Sequence, residues 1–267
     1  MQAVIAMRFS DAPPTRQVMA WLISLGLSVA LALPLQGHAQ SSNSQPNITG
    51  AWTLYPPFGR AAPDPKLAPP QPGPPALKAP YAGPYEAKRA AERDSDKRGE
   101  PLANASTECI PTGMPQMMFP IYPLEILQTP GQVTIVAEAM SQVRRIFLDQ
   151  PQAKIEDVPP GYYGHSVGHW EGDTLVVDTV GVKQEVLGFK DIPHSDKMRI
   201  KERFRLVAPN VLHDEITVED PVTLERPWTF TFAYQRAPNY QLLEYVCENN
   251  REYVDDKGVT RMKLQNR

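Results

Sequence analysis

Cysteine is the scarcest informative residue in this chain, which carries only Cys109 and Cys247 in 267 residues. So few cysteines exclude a disulfide-dense scaffold, and no CxxC pair is present for zinc or thiol redox chemistry. HExxH, an acidic calcium loop and a glycine-rich phosphate loop are also missing, so the sequence points to no metal and no cofactor. Nor is there an excess of one charge: Lys and Arg number 27 against 30 Asp and Glu. No Lys/Arg cluster interleaved with aromatics occurs, which argues against nucleic acid as a partner. Beyond the first ~39 residues no stretch is apolar enough to span a bilayer. The second half lacks helix-length apolar patterns, which leaves no helical crossover for a parallel sheet.

The one long apolar run lies at the start. Arg8 and Arg16 precede an apolar stretch over 18–33, followed by Pro34 and the small-residue segment Gly37-His38-Ala39. This order is that of a secretory signal cut after Ala39. An uncleaved anchor is the alternative, but the run is shorter than the ~20 residues that comfortably span a membrane. A periplasmic or secreted location follows, with no stable membrane span once the signal is removed. The mature chain of 228 residues, with a net charge near −4, is long enough for one domain with a real core.

The mature chain divides by composition. A short strand is expected within 47–54, where Gly50 and Trp52 stand. Eleven of the 29 prolines fall between Pro56 and Pro84. Proline fixes φ and removes donors, so an extended arm without sheet or helix is expected there, either a spacer or a wrap around the domain. A short solvated helix follows over 85–93, with Pro84 suited to its first turn and Gly99 to its stop. From about residue 107 short alternating runs are separated by turn residues. They predict strands at 124–129, 133–137, 143–148, 165–170, 174–179, 198–207, 212–219, 228–235 and 241–247. The fold class is therefore all-β: an antiparallel meander closed as a barrel or curved sheet, preceded by the arm and one helix. The expected segments are the signal over 1–39, the strand, arm and helix over 40–106, the barrel over 107–250 and a tail over 251–267.

In an oxidising compartment a disulfide is the default for a lone cysteine pair, and Cys109–Cys247 would tie the start of the domain to its last strand. Two buried thiols, or a nucleophilic cysteine, are the other readings.

Two resemblances are carried by motifs. Gly50-Ala51-Trp52 resembles the opening Gly-x-Trp of lipocalins, where the Trp plugs one end of the barrel. The block from Gly164 to Thr179, with Pro193-His194-Ser195-Asp196, Pro227-Trp228-Thr229 and Tyr245-Val246-Cys247-Glu248-Asn249, resembles a family of exported bacterial proteins without an assigned reaction. That likeness spans roughly residues 105–250 and implies export from a Gram-negative cell.

Candidate site residues come from strand periodicity. With Glu171-Gly172 as a two-residue hairpin loop, His165 lies opposite Asp178, and a carboxylate that orients an imidazole makes a general base. A Gly172-Asp173 loop would instead set His165 opposite Val180. Glu202 shares an otherwise apolar face with Ile200, Phe204 and Leu206, so it must be ion-paired, with Arg144 or Arg145, or sit in a wet pocket as an acid or ligand anchor. Trp228, Phe230 and Phe232 share one face of a strand and suit an apolar pocket or a packed core. His194-Ser195-Asp196 invites a hydrolase reading, but a turn or pocket rim suits adjacent residues better. His165 and His169 would stand ~13 Å apart on a strand, too far for one metal ion.

Three functions fit. The first is an exported protein that binds a small apolar or aromatic ligand through Trp228, Phe230 and Phe232, with Arg144 or Arg145 as polar anchors. The second is a metal-free acid–base enzyme using His165, Asp178 and Glu202. The third is an envelope interaction protein that docks its Pro-rich arm on a partner. The sequence assigns no oligomeric state.

Overall fold

The computed structural model describes residues 45–100, 102–103, 109–186, 188–247 and 252–262. The export signal expected over 1–39 lies outside them. Strands β1 (Gly50–Leu54), β2 (Leu124–Thr129), β3 (Gln132–Ala137), β4 (Gln142–Leu148), β5 (His165–Glu171), β6 (Thr174–Val180), β7 (Arg199–Ala208), β8 (Val211–Glu219) and β9 (Trp228–Arg236) close into one barrel. The all-β class with one α-helix is as the sequence predicts.

The expected strand at 241–247 does not form. Pro238 cannot donate to a ladder and ends β9's run. The following segment instead lies against Glu138, whose carboxylate accepts from Tyr240 Oη at 2.6 Å and Leu243 N at 2.8 Å. The ring is closed by β1, which pairs β2 through Trp52↔Leu124 and β9 through Leu54↔Tyr234. The barrel is therefore not confined to 107–250.

One neighbour relation departs from a pure meander. β4 and β5 run parallel through Phe147↔Val167, joined by residues 149–164. A closed ring of nine strands cannot alternate direction all the way round, so one parallel pair is a geometric necessity. A connection of that length makes the crossover with no α-helix, only a 3-10 turn at Ile155–Asp157.

Side chains alternate inward and outward round the ring, as the period of two requires. Trp52, Ile126, Ile135, Ile146, Leu175, Ile200, Phe204, Leu212, Ile216 and Tyr234 are all at least 98% buried and fill the interior. Trp52 donates from Nε1 to Ile48 O at 2.9 Å, and the Arg236 guanidinium lies 4.3 Å over its ring.

The Pro-rich segment wraps the barrel. Tyr55 N donates to Ala233 O at 2.9 Å, His213 Nε2 contacts Leu67 O at 2.8 Å, and Trp228 Nε1 donates to Gly73 O at 2.8 Å. Leu77 forms a bridge to Leu224. Tyr55, Val211 and Ala233 make a small outer core with Leu67 and Ala68 of the arm. The arm is not free of helix, as composition implied. α1 (Ala79–Lys97) starts inside it, with Pro80 in the first turn and Pro84 within the helix. Pro80 takes the role expected of Pro84, because an N–H missing from the first turn has no intrahelical partner to lose. Gly99, at φ +68°, ends the helix as expected.

The disulfide is formed between Cys109 and Cys247, which lies in the segment after β9 rather than on a strand. A separate hairpin pairs β10 (Glu252–Val254) with β11 (Thr260–Met262). Among the described residues no helix is long and apolar enough to cross a membrane.

Gly164, which opens the Gly-His-Ser block, shows why that block begins with glycine. Its φ is +63°, and a Cβ there would lie 2.4 Å from Val180 O. Gly164→Ala is expected to lower stability by about 2 kcal/mol or more, read as a reduced urea midpoint. An unchanged midpoint would show that the β5 entry has another accessible path.

Candidate functional site

The β5–β6 hairpin settles the first candidate. Glu171 pairs with Thr174, so the loop is Gly172-Asp173 and His165 lies opposite Val180. Gly172 takes φ +62°, a conformation open to glycine at the first position of a tight hairpin turn. The expected His165–Asp178 pair is therefore not formed. His165 Nδ1 contacts Gln152 Oε1 at 2.9 Å, and its ring stacks on Phe147 with centroids 5.6 Å apart. Asp178 accepts from Arg199 Nε at 2.6 Å and also from Arg199 Nη2. Both residues face outward, whereas Glu202 faces the interior, so the structure does not bring the acid–base trio together. His169 is exposed and lies 3.2 Å from Glu171.

Glu202 forms the buried pair that its apolar face demands. Arg144 Nη1 donates to Glu202 Oε1 at 2.8 Å and Nη2 donates to Oε2, with both side chains fully buried. The guanidinium also donates from Nε to Ser166 Oγ at 3.2 Å and from Nη2 to Thr179 Oγ1 at 3.0 Å. Arg144 is thus committed inside the barrel and does not reach a surface cleft. Arg145, the next residue, faces out and is exposed. Neither arginine stands where a ligand anchor was expected.

One member of this cluster is missing from the sequence reading. Asp214 is fully buried, accepts from Tyr234 Oη at 3.4 Å, and has no partner for Oδ1. Tyr234 Oη donates mainly to Met118 O, at 2.9 Å. Burial, reinforced by the charge of Glu202, pushes the Asp214 carboxyl well above the usual carboxylate range, against the pull of Arg144. The signal was available: Leu212, Asp214 and Ile216 share a face, by the alternation that marks Glu202.

The His194-Ser195-Asp196 loop is structural. His194 is buried, with Nδ1 2.9 Å from Ser195 O and Nε2 against Val186 O. Ser195 donates from its backbone N and its Oγ to Asp220, at 2.6 and 2.9 Å. Burial raises the Asp220 carboxyl, but hydrogen bonds from Ser195, Val222 and Thr223 outweigh it and hold the carboxyl below its ordinary range. Asp196 is exposed and pairs with Lys197 at 3.1 Å.

Besides an open cleft of ≈ 380 Å3 over β5 and β6, lined by Gln152, His169 and Asp178 among others, a concave feature with ligand dimensions lies where the arm crosses β9. It is a cleft of ≈ 450 Å3, open to solvent, floored by Phe119, Phe189, Phe230 and Phe232 and walled by arm residues including Phe58 and Pro70. The floor rings interlock: Phe119 lies 5.3 Å from Phe232, and Phe189 lies 4.8 Å from Phe230 and 4.9 Å from Phe232. Such offset and edge contacts hold rings rigidly. Phe58 is 85% exposed at the rim, an unusual cost for a large apolar ring left in water. Phe230 and Phe232 border this cleft while packing in the core, at 3% and 5% exposure. Trp228 packs behind them, 4.6 Å from Phe230, and lines a void of only ≈ 10 Å3. Phe119, Phe189 and the arm were not foreseen, because each comes from a loop whose position the barrel decides. Among the described residues no group of three His, Cys, Asp or Glu is placed to hold a metal ion.

Two measurements probe the interior. Glu202→Gln leaves the Arg144 charge without its counter-ion and is expected to cost about 3–5 kcal/mol by urea unfolding. The double variant Arg144→Met/Glu202→Leu should recover most of that loss. Equal losses in single and double variants would mean that packing, not charge, is at stake. Asp214 sets a pH dependence, because its folded carboxyl holds a proton that the unfolded chain releases above the ordinary value of 3.8. Its favourable contribution is complete below that value and is lost as pH rises toward the folded value. Asp214→Asn should therefore gain on wild type as pH rises from about 4 to 8, by a few degrees in Tm. A difference that stays flat with pH would show that Asp214 titrates normally.

Comparison with protein-family models, with curated proteins and with solved structures finds no match to this chain.

Proposed function

We propose that this is an exported binding protein for a small, largely apolar or aromatic molecule, held in the cleft between the Pro-rich arm and the barrel. The observation that carries the reading is the aromatic floor of Phe119, Phe189, Phe230 and Phe232 beneath a cleft of ≈ 450 Å3. That volume falls among those of small-molecule sites, which are mostly apolar, preformed and few per protein. The interlocked rings and the arm's hydrogen bonds to the barrel make this one preformed. The apparent export signal and the Cys109–Cys247 disulfide fit an oxidising compartment. The Gly-His-Ser block, which resembles one in exported bacterial proteins, supports periplasmic delivery, and the Gly-x-Trp start supports a lipocalin-like mode of use.

The rival readings have less support. An acid–base enzyme needs His165, Asp178 and Glu202 around one reacting atom, and two of them face out while the third faces in. Partner capture by the arm needs a free arm, whereas its backbone and side chains are bonded to β8, β9 and the segment after β8.

The test is thermal stability of the purified protein with aromatic, terpenoid and fatty-acid ligands, for wild type and Thr231→Trp. Thr231 lines the cleft and is only partly buried, so the larger ring fills the site without entering the core. A ligand at 100 times its Kd should stabilise wild type by about 2.7 kcal/mol and the filled variant by far less. Shifts of equal size in both proteins, or none in either, would remove this cleft as the site.

A further inference from the structure

Resting on the cleft as the binding site, we infer that its ligand is an amphipathic anion, an apolar or aromatic body ending in a carboxylate or similar group. The lining is uneven in charge. Arg60 and Lys190 belong to it, and no Asp or Glu does. Both cations are exposed, and among the described residues neither forms an ion pair. The acid next to Lys190, Asp191, is engaged elsewhere, 3.8 Å from Lys88 and 3.7 Å from Arg89 of α1. The tyrosine in the lining, Tyr55, is also occupied, since its hydroxyl donates to Asp64 O at 2.7 Å.

Lys190 is placed with some care. It stands at φ +59°, followed by Asp191 at φ +59°, conformations that ordinary residues seldom adopt. The turn is clamped from α1, where Tyr85 Oη donates to Lys190 O at 3.1 Å and Lys88 and Arg89 face Asp191. This clamp sets Phe189 into the aromatic floor and leaves the Lys190 ammonium 5.5 Å from that ring's centre. Arg60 comes from the Pro-rich arm, in a turn where its N–H donates to Pro57 O at 3.0 Å. Aromatic floor and cationic wall thus belong to one cleft. Two cations without counter-ions beside an apolar surface attract an anion whose body prefers to leave water. A neutral ligand would leave both without partners, and a cation would be repelled.

The experiment compares 4-phenylbutyrate with 4-phenylbutan-1-ol, molecules of similar shape that differ in charge, by calorimetric titration at low salt. The carboxylate is expected to bind roughly tenfold more tightly than the alcohol. In Arg60→Gln/Lys190→Gln that advantage should vanish while alcohol binding stays the same. Raised salt should erode the advantage in wild type and leave the alcohol unaffected. Equal affinity of the two probes, or a double variant that keeps the preference, overturns the inference while leaving an apolar site in place. Binding of neither probe, or binding of both that survives Thr231→Trp, overturns the cleft assignment itself, and the charge inference falls with it.

Discussion

Ring closure by β1 is the constraint on which the rest depends. Five residues, Gly50–Leu54, pair on both sides and join β2 to β9. Without them the sheet has two open edges and the inward side chains of eight strands lose their enclosure. Closure with nine strands also requires the single parallel pair, which sends residues 149–164 from the end of β4 to the start of β5. Gly164 and Gln152 lie in that connection, and Gln152 Nε2 donates to Asp178 O at 2.8 Å.

Once closed, the barrel dictates which polar groups are stranded inside. Arg144, Glu202 and Asp214 all point inward, yet they differ in how well they are served. The arginine and glutamate satisfy each other, and Ser166 and Thr179 take further guanidinium donors. Asp214 has one distant hydroxyl, and burial together with the charge of Glu202 pushes its carboxyl well above the usual range. A buried pair of this kind adds little net stability compared with an apolar core, but it links β4 to β5, β6 and β7 through Ser166, Thr179 and Glu202. Its chemistry is inward and structural. The chemistry offered to solvent lies where the arm meets β9: the inward-facing rings of Phe230 and Phe232 reach Phe119 and Phe189 of two loops, beside Arg60 and Lys190.

Much of this was readable from residue order. Alternation at Ile200, Glu202, Phe204 and Leu206 put a carboxylate on an apolar face, where an arginine partner or a wet pocket could serve it, and the structure takes the first through Arg144. The same logic gave the aromatic face of β9 and a strand at each of the nine barrel positions, with one further strand, at 241–247, that does not form. Register was not readable at the β5–β6 turn. Glu171-Gly172 and Gly172-Asp173 are both plausible loops, and a slip of one residue in the loop moves His165 from Asp178 to Val180. The hairpin chose the loop that puts glycine first, at positive φ. The strand expected at 241–247 failed because alternation alone does not reveal that Pro238 ends the ladder and that β1 already occupies the edge.

The sequence by itself determined the class of fold, the inward and outward sets of side chains, the proline-fixed extension of the arm, and the pairing partners open to two cysteines and one buried glutamate. These are properties of dihedral preference and hydrophobic period, which act over a few residues at a time. Only the tertiary structure decided which strand closes the ring, where the arm lies, and that Phe119, Phe189, Phe230 and Phe232 meet beneath Arg60 and Lys190. Such meetings join residues far apart in the chain, and their geometry follows from how the ring closes rather than from any local preference.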